Sequence, residues 1–198
     1  MIMTLPLYNF GEIIYQGTRT IVYKGTRTSD HQGVIIKVLR NPHPNFNELA
    51  QFRNQYTLAK NLELSGIVKP LSLENYGNSY ALVMPYEGHI SLNQWQPKKL
   101  LIPDFLAIGL QLADILHGLY RQRVIHKDIK PANILIHPET KEVKLIDFSL
   151  ASLLPKENQT IQNPNILEGT LAYLSPEQTG RMNRGIDYRS DLYSLGIT

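Results

Sequence analysis

The stretch of residues 124–149 constrains this chain most, because it places polar side chains at the edges of two short apolar runs. It reads VIHKDIKPANILIHPETKEVKLIDFS. A lone Asp–Lys pair would indicate only a charged loop between strands. Five ordered polar positions with a proline among them are much more specific. Those positions are His126, Asp128, Lys130, Asn133 and Asp147.

This stretch resembles the catalytic loop and the metal-binding loop of protein kinases, whose patterns are H-R-D-x-x-x-x-N and D-F-G. The matching residues are His126-Lys127-Asp128, then Asn133, then Asp147-Phe148-Ser149. A lysine two positions after the aspartate, Lys130, is similar to the serine/threonine branch of the family. The resemblance implies an enzyme that transfers a phosphoryl group from ATP, with Mg²⁺, to Ser or Thr hydroxyls of a protein substrate.

The resemblance also assigns roles to these residues. In phosphoryl transfer the protein contributes mainly by positioning the reactants and neutralising charge, and little by covalent chemistry. Asp128 would accept the proton of the substrate hydroxyl, and Lys130 would stabilise the transferred group. Asn133 and Asp147 offer the hard oxygen ligands that Mg²⁺ prefers. We therefore expect Asp128, Lys130 and Asn133 to be catalytic, and Asn133 and Asp147 to hold the metal.

The composition limits the class of protein. A chain of 198 residues with 42% hydrophobic and 19% charged residues is globular and holds one or two domains. The absence of cysteine excludes disulfide scaffolds and thiolate metal sites, and it favours a cytoplasmic location. The net charge of +3 comes without a Lys/Arg run, which argues against nucleic-acid binding. The start, MIMTLPLYNF, shows no secretory signal pattern.

The first part of the chain predicts an antiparallel sheet with one helix. Residues 10–15, 20–24, 34–39, 71–73 and 79–84 are strand-like runs separated by turn residues. Residues 44–64 predict a helix whose apolar stripe contains Phe46, Leu49, Phe52, Tyr56 and Ala59. The resemblance implies an α+β, bilobal protein-kinase-like fold. Residues 1–84 would form the small lobe, 85–90 the hinge, and 91–198 a mostly α large lobe that is incomplete at its C-terminal end.

A nucleotide site is also implied by the resemblance. The family carries G-x-G-x-x-G-x-V in its first hairpin, and alignment on Val22 retains only Gly17, with Tyr15 and Thr20 at the other glycine positions. Val34-Ile35-Ile36-Lys37 resembles V-A-I-K, whose lysine contacts the phosphates. The residues expected to bind ATP are Ile14, Gly17, Val22, Lys37, Met84, Tyr86 and Leu135.

Several positions depart from the family pattern. Gln55 stands where a glutamate pairs with the strand lysine, and Glu48 lies about two helical turns earlier. Ser149 replaces the glycine of D-F-G, and Lys127 replaces the arginine before the aspartate. These departures keep an alternative open: a pseudokinase-like regulatory module that binds nucleotide or a partner, or an inactive fragment of a larger kinase.

The second part of the chain predicts a long helix from Pro103, whose repeating face contains Leu106, Leu110, Ala113, Leu116 or His117, and Tyr120. Polar residues such as Asp104, Gln111 and Asp114 interrupt the run, so an amphipathic helix is expected and not a membrane span. Residues 151–166 would form an activation segment in which Ser152 and Thr160 could accept phosphate.

The last motifs resemble segments that surround the kinase catalytic loop. Gly169–Tyr173 and Ser175-Pro176-Glu177 resemble the substrate-docking segment and A-P-E, and the helix at Asp191 resembles the one that anchors the catalytic loop. In the family, a later helix supplies an arginine for the Glu177 position, so Glu177 is expected to lack a partner.

Four longer runs resemble the N-terminal kinase-like domain of large bacterial hybrid signalling proteins of the cyanobacterial type. The resemblance implies downstream ATPase, GAF sensor and histidine-kinase modules as partners in a parent chain. The runs are QGTRTIVYKG, FRNQYTLAKNL, VIHKDIKPANILI and GTLAYLSPEQTGRMNRGIDYRSDLYSLGIT.

Overall fold

The computed structural model describes residues 5–97, 99–154, 170–180 and 185–198. Two compact units are formed. The first runs to Asn61 and includes Val68–Gly88, and the second comprises Leu62–Ile67 and His89–Thr198. The predicted α+β class is confirmed. Thr160 and Gly169 lie outside the described residues.

The first unit is an antiparallel five-stranded sheet with one helix. The strand order is β1-β2-β3-β5-β4, and every neighbouring pair is antiparallel. The elements are β1 (Tyr8–Gln16), β2 (Thr20–Arg27), β3 (Gly33–Leu39), α1 (Phe46–Asn61), β4 (Ser72–Tyr76) and β5 (Ser79–Pro85).

Both faces of this sheet are covered. Successive side chains of a strand point to opposite faces, so the buried strand residues divide into two sets. On one face Phe52 of α1 packs against Leu82 and Met84 of β5. On the other face Leu5 and Tyr8 close a second core over the remaining buried strand residues, which are Val34, Ile36, Val38, Ala81 and Val83. The N-terminal segment therefore completes the sheet.

Helix α1 begins with reciprocal capping bonds. The backbone N–H of Glu48 donates to Asn45 Oδ1, and the backbone N–H of Asn45 donates to Glu48 Oε2, both at 2.9 Å. This capping box satisfies donors that the first helical turn leaves without partners. The predicted stripe is wrong at its start, because Phe46 is 82% exposed. Phe52 and Ala59 of the predicted stripe are buried, and Gln55 is buried with them.

Within its described residues, the second unit combines short antiparallel strand pairings with two α-helices. Strand order is β6-β8-β9 in one sheet, and β10 pairs with β7 in the other. Two short 3₁₀ helices, at Pro131–Asn133 and Leu171–Tyr173, complete it. The remaining elements are β6 (Ile90–Ser91), α2 (Ile102–Arg121), β7 (Val124–Ile125), β8 (Ile134–Ile136), β9 (Val143–Leu145), β10 (Ser152–Leu153) and α3 (Tyr188–Ile197).

The helix predicted from Pro103 is α2. Leu116 of the predicted face is buried, but most of that face is exposed. Leu106, Leu110 and Tyr120 are 55%, 67% and 46% exposed. The helix is apolar on more than one side, so a second stripe with the same spacing is available for packing. The residues that are buried are Ile108, Leu112, Ile115, Leu116 and Leu119.

By length and composition alone, α2 could also cross a membrane: its best 18-residue window has a mean hydropathy of 1.3. A core helix passes the same test, so this is weak evidence for a span. In this structure, five apolar residues of α2 are buried in the second unit.

Two glycines near α2 give a matched test of its packing. A Cβ on Gly66 would overlap the Ile115 side chain, whereas a Cβ on Gly109 would meet nothing within 4 Å. We expect Gly66→Ala to lower the free energy of unfolding by about 1–3 kcal/mol through overpacking. Gly109→Ala should raise it by about 0.5–1 kcal/mol, because alanine is the better helix former. Urea unfolding measures both, and equal effects would contradict the packing of α2 on Gly66.

Candidate active site

The loop that resembles the kinase catalytic loop, and is called the catalytic loop below, follows β7, and Asp191 of α3 holds its backbone. The Asp191 carboxylate accepts the backbone N–H groups of His126 at 2.7 Å and of Lys127 at 2.8 Å. Burial raises the pKa of Asp191, while His126, Lys127 and the two N–H donors act in the opposite direction. Lys127 has a left-handed backbone with φ of 67°, which an L-residue seldom adopts. These two contacts agree with the anchoring role that the sequence predicts for the helix at Asp191.

His126 connects the catalytic loop to the Asp147 loop. Its Nε2 lies 2.9 Å from the Ile146 carbonyl oxygen, and its Nδ1 lies 3.3 Å from the backbone N of Asp128. A neutral imidazole with its proton on Nε2 satisfies both contacts. The ring is fully buried and meets Phe148 edge-on at 4.9 Å. The histidine thus acts as a structural bridge between the two motifs.

The Asp128 carboxylate is the centre of a hydrogen-bond network. Lys130 Nζ donates to Oδ2 at 2.7 Å, and Asn133 Nδ2 donates to the same oxygen at 2.8 Å. Asn133 Nδ2 also reaches the backbone oxygen of Asp128, at 2.8 Å. The Asp128 side chain is only 10% exposed. The structure thus brings Asp128, Lys130 and Asn133 together, as the sequence motif predicted.

Thr170 is a member of this network that the sequence analysis missed. Its hydroxyl accepts from Lys130 Nζ at 2.7 Å and donates to Asp128 Oδ1 at 3.2 Å. It lies some forty residues away, in the segment predicted to dock substrate, so local spacing gave no signal for it. With Thr170 included, both carboxylate oxygens of Asp128 accept side-chain hydrogen bonds.

The residues expected to hold Mg²⁺ fit that ion by their donor chemistry. Asn133 makes both of its side-chain hydrogen bonds within the described residues through Nδ2, so its Oδ1 can serve as an oxygen ligand. The backbone N–H of Ile146 donates to the Asn133 carbonyl at 3.0 Å, and Asp147 follows directly. No cluster of three His, Cys, Asp or Glu side chains that could hold a metal occurs in the described part of the chain. The pair suits an ion that a bound phosphate also coordinates.

In the first unit, Lys37 and Gln55 form a buried pair. Lys37 Nζ donates to Gln55 Oε1 at 2.9 Å, and the two residues are 8% and 4% exposed. The glutamine therefore takes the hydrogen-bonding part of the glutamate role, without its charge. Glu48 does not substitute for it, because the Glu48 carboxylate caps α1 at Asn45.

Some of the expected nucleotide residues lie side by side on the sheet. Val22 pairs with Lys37 between β2 and β3, and Ile35 pairs with Met84 between β3 and β5. Directly opposed residues of neighbouring strands share a face, so Val22 and Lys37 point to the same side. Met84 is buried against Phe52 of α1.

Other expected nucleotide residues have more particular surroundings. Ile14 falls where the register between β1 and β2 shifts, and it is 41% exposed. Gly17 closes the hairpin, its N–H donating to the Thr20 carbonyl, and the Tyr15 ring covers its α-carbon. Leu135 is the middle residue of β8, in the second unit.

Tyr86 has contacts with neighbouring strands of the first unit. Its backbone N–H donates to the Gly33 carbonyl at 3.2 Å, and Lys24 Nζ lies 4.3 Å from its ring centroid. The N–H of Tyr86 is thus already engaged. Contacts of any of these residues with ATP remain predictions.

Glu177 does not lack a partner, contrary to the sequence expectation. The Ser190 hydroxyl donates to Glu177 Oε1 at 2.6 Å. Ser190 is fully buried in the first turn of α3, and Ser194 one turn later donates to the Tyr173 carbonyl at 2.7 Å. Two serines of α3 therefore contact residues 173–177, the region that contains the A-P-E-like motif.

Comparison with known proteins agrees with these motifs. Residues 8–198 match the family model described as the protein kinase domain. The chain is 33% identical over 83% of its length to a probable serine/threonine-protein kinase of Clostridium perfringens and to serine/threonine-protein kinase PrkC of Bacillus subtilis. It is 30% identical, also over 83%, to serine/threonine-protein kinase pkn2 of Myxococcus xanthus.

The matched region is a limited part of those relatives. It spans 24%, 25% and 20% of the three proteins, respectively. Because the family model covers nearly all of this chain, the two units correspond to the small lobe and part of the large lobe of that fold. The chain belongs to the protein kinase family.

Proposed function

We propose that this chain transfers the γ-phosphoryl group of ATP to Ser or Thr hydroxyls of a protein substrate. The observation that carries the proposal is the placement of the Asp128 carboxylate, which Lys130, Asn133 and Thr170 surround with hydrogen-bond donors. These contacts fix the orientation of the carboxylate before the reaction, as a base that accepts a proton from a defined direction requires.

The reaction assigns one task to each of these residues. Asp128 accepts the proton of the Ser or Thr hydroxyl while the hydroxyl oxygen bonds to the γ-phosphorus and the bond from that phosphorus to ADP breaks. Lys130 stabilises charge on the transferred group. Thr170 and Asn133 hold the carboxylate, through the contacts described above.

Nucleotide binding is proposed for Lys37 in the first unit and for Asn133 with Asp147 in the second. Lys37 would pair with phosphate oxygens while Gln55 holds its ammonium group. Mg²⁺, when bound, neutralises phosphate charge. The further residues proposed to contact the nucleotide are Ile14, Gly17, Val22, Met84 and Tyr86 of the first unit, and Leu135 of the second.

The wider context is a further part of this proposal. The four runs that resemble cyanobacterial-type hybrid proteins suggest a parent chain with ATPase, GAF sensor and histidine-kinase modules, acting in signal transduction. A cytoplasmic location is consistent with the use of ATP and with a chain that has no cysteine.

Replacement of the proposed base tests the reaction. We expect Asp128→Asn to lower the rate of phosphate transfer from labelled ATP to Ser/Thr-containing peptides by about 10²- to 10⁴-fold, the usual contribution of general acid–base catalysis. Asp114→Asn on the exposed side of α2 is the matched control and should leave the rate unchanged. An unchanged rate in the Asp128 variant would exclude Asp128 as the base.

A second candidate function is a regulatory module that binds nucleotide without efficient transfer. The observation that favours it is the Lys37–Gln55 pair, in which the family's charged tether has become a neutral hydrogen bond. Hydrogen bonds to a charged partner are stronger when both groups are ionised. A weaker tether would hold the phosphate-binding lysine less firmly.

Gln55→Glu separates the two candidates. For an active kinase we expect the transfer rate to change by less than about threefold, because Lys37 is already held by a hydrogen bond. For the regulatory module, restoring the charge should raise the rate about tenfold or more. A thermal melt with and without magnesium-ATP measures binding in the same samples, since a ligand at a hundredfold excess over Kd stabilises by about 2.7 kcal/mol. A gain of tenfold or more would contradict an efficient native kinase.

A further inference from the structure

We propose that Gln178 is a positioning residue, which holds the peptide group before Asp128 and thereby directs the base. The catalytic consequence of this inference rests on the proposed function. Gln178 is buried, lies outside every motif of the catalytic machinery, and donates through Nε2 to the Lys127 carbonyl at 2.9 Å. That carbonyl belongs to the peptide bond whose nitrogen is that of Asp128.

The peptide group between Lys127 and Asp128 is held at both ends. Its carbonyl accepts from Gln178, and its N–H donates to His126 Nδ1 at 3.3 Å. Lys127 has a positive φ of 67°, a conformation that needs support from its surroundings. Asp191 supplies such support on the N-terminal side of Lys127. Gln178 supplies it on the C-terminal side, where rotation of the peptide would turn the Asp128 side chain.

The orientation of the Gln178 amide is determined by Ser175. Gln178 Oε1 accepts both the backbone N–H and the hydroxyl of Ser175, each at 3.1 Å. With the amide oxygen used on that side, Nε2 must face the Lys127 carbonyl. Ser175 is fully buried, so the arrangement is a built contact and not a surface one.

This contact gives the segment 170–180 a second hold on the catalytic loop. Thr170 donates to the Asp128 carboxylate, and Gln178 donates to the backbone one residue earlier. One segment therefore sets both the side chain and the main chain of the proposed base. A shift of that segment would move both contacts together.

Only an amide of this length supplies the two functions of Gln178. Glutamate in its ionised form has no donor for the carbonyl, whereas protonated glutamate has one. Methionine fills similar space but has no donor. Within the described residues, the catalytic loop, the segment 170–180 and α3 with its N-cap carry the following ionisable side chains: His126, Lys127, Asp128, Lys130, Tyr173, Glu177, Asp187, Tyr188, Arg189, Asp191 and Tyr193. All variants share these groups. Their effect on kcat therefore cancels in the ratio of variant to unmodified chain at each pH.

The test compares kcat for phosphate transfer by Gln178→Glu and by the unmodified chain, between about pH 6 and about pH 8, a range in which a buried glutamate can titrate. At the upper end we expect the variant to be about tenfold slower, the effect of leaving a buried carbonyl without its donor. Towards the lower end the ratio should recover, as the introduced carboxyl gains a proton. Gln178→Met should be slower by a similar factor at every pH.

The matched control is Gln122→Glu. The Gln122 amide bridges the N–H and carbonyl of Glu63 at 3.0 and 3.1 Å, which is the same kind of contact away from the catalytic loop. Its kcat ratio should stay constant across the pH range. A ratio for Gln178→Glu that is likewise constant, or near one throughout, would overturn the proposal.

Amide hydrogen exchange keeps this inference separate from the proposed function. Gln178→Met should speed exchange at the Asp128 amide relative to the amides of α2, whether or not the chain transfers phosphate. If the unmodified chain shows no transfer, the proposed function fails and exchange alone decides the role of Gln178. Unchanged exchange at Asp128 would overturn that role.

Discussion

The catalytic loop depends on the buried carboxylate of Asp191. Lys127 adopts a left-handed backbone, which costs an L-residue about 1–2 kcal/mol. Asp191 offsets that cost by accepting two adjacent N–H groups of the loop. Without this acceptor, each buried donor would lack a partner at a cost of about 1–3 kcal/mol. The direction of Asp128, and the network around it, follow from this turn.

One departure of this chain from the kinase pattern, Gln55 in place of a glutamate, changes charge more than geometry. Gln55 keeps the hydrogen bond to Lys37 but contributes no negative charge. Glu48, the nearby acid on the same helix, is engaged in the capping box with Asn45. The lysine is therefore positioned as the fold requires, while the electrostatics around it differ. The Lys37–Gln55 hydrogen bond is compatible both with catalysis and with nucleotide binding that serves regulation. The measured rate of phosphate transfer distinguishes the two functions.

The strands and helices could be predicted because turn residues and apolar periodicity are local signals, and the catalytic loop because its motif occupies a few consecutive positions. Contacts over long sequence separations could not. Thr170 and Gln178 reach the loop from 42 and 51 residues away. Most of the face of α2 that was predicted to be buried is exposed, because the helix offers more than one apolar stripe. The partner of Glu177 was missed because Ser190 is 13 residues further along the chain and no local pattern marks the contact.

We propose that Asp128, Lys130 and Thr170 act as one unit in phosphate transfer, because each of the three side chains contacts the other two. The most direct measurement is a double-mutant cycle on phosphate-transfer rate with Lys130→Ala, Thr170→Val and the double variant. Residues that act through one network are not additive, so the account predicts a coupling energy of about 1 kcal/mol or more. Losses that add within about 0.5 kcal/mol, or an unmodified chain without transfer activity, would contradict it.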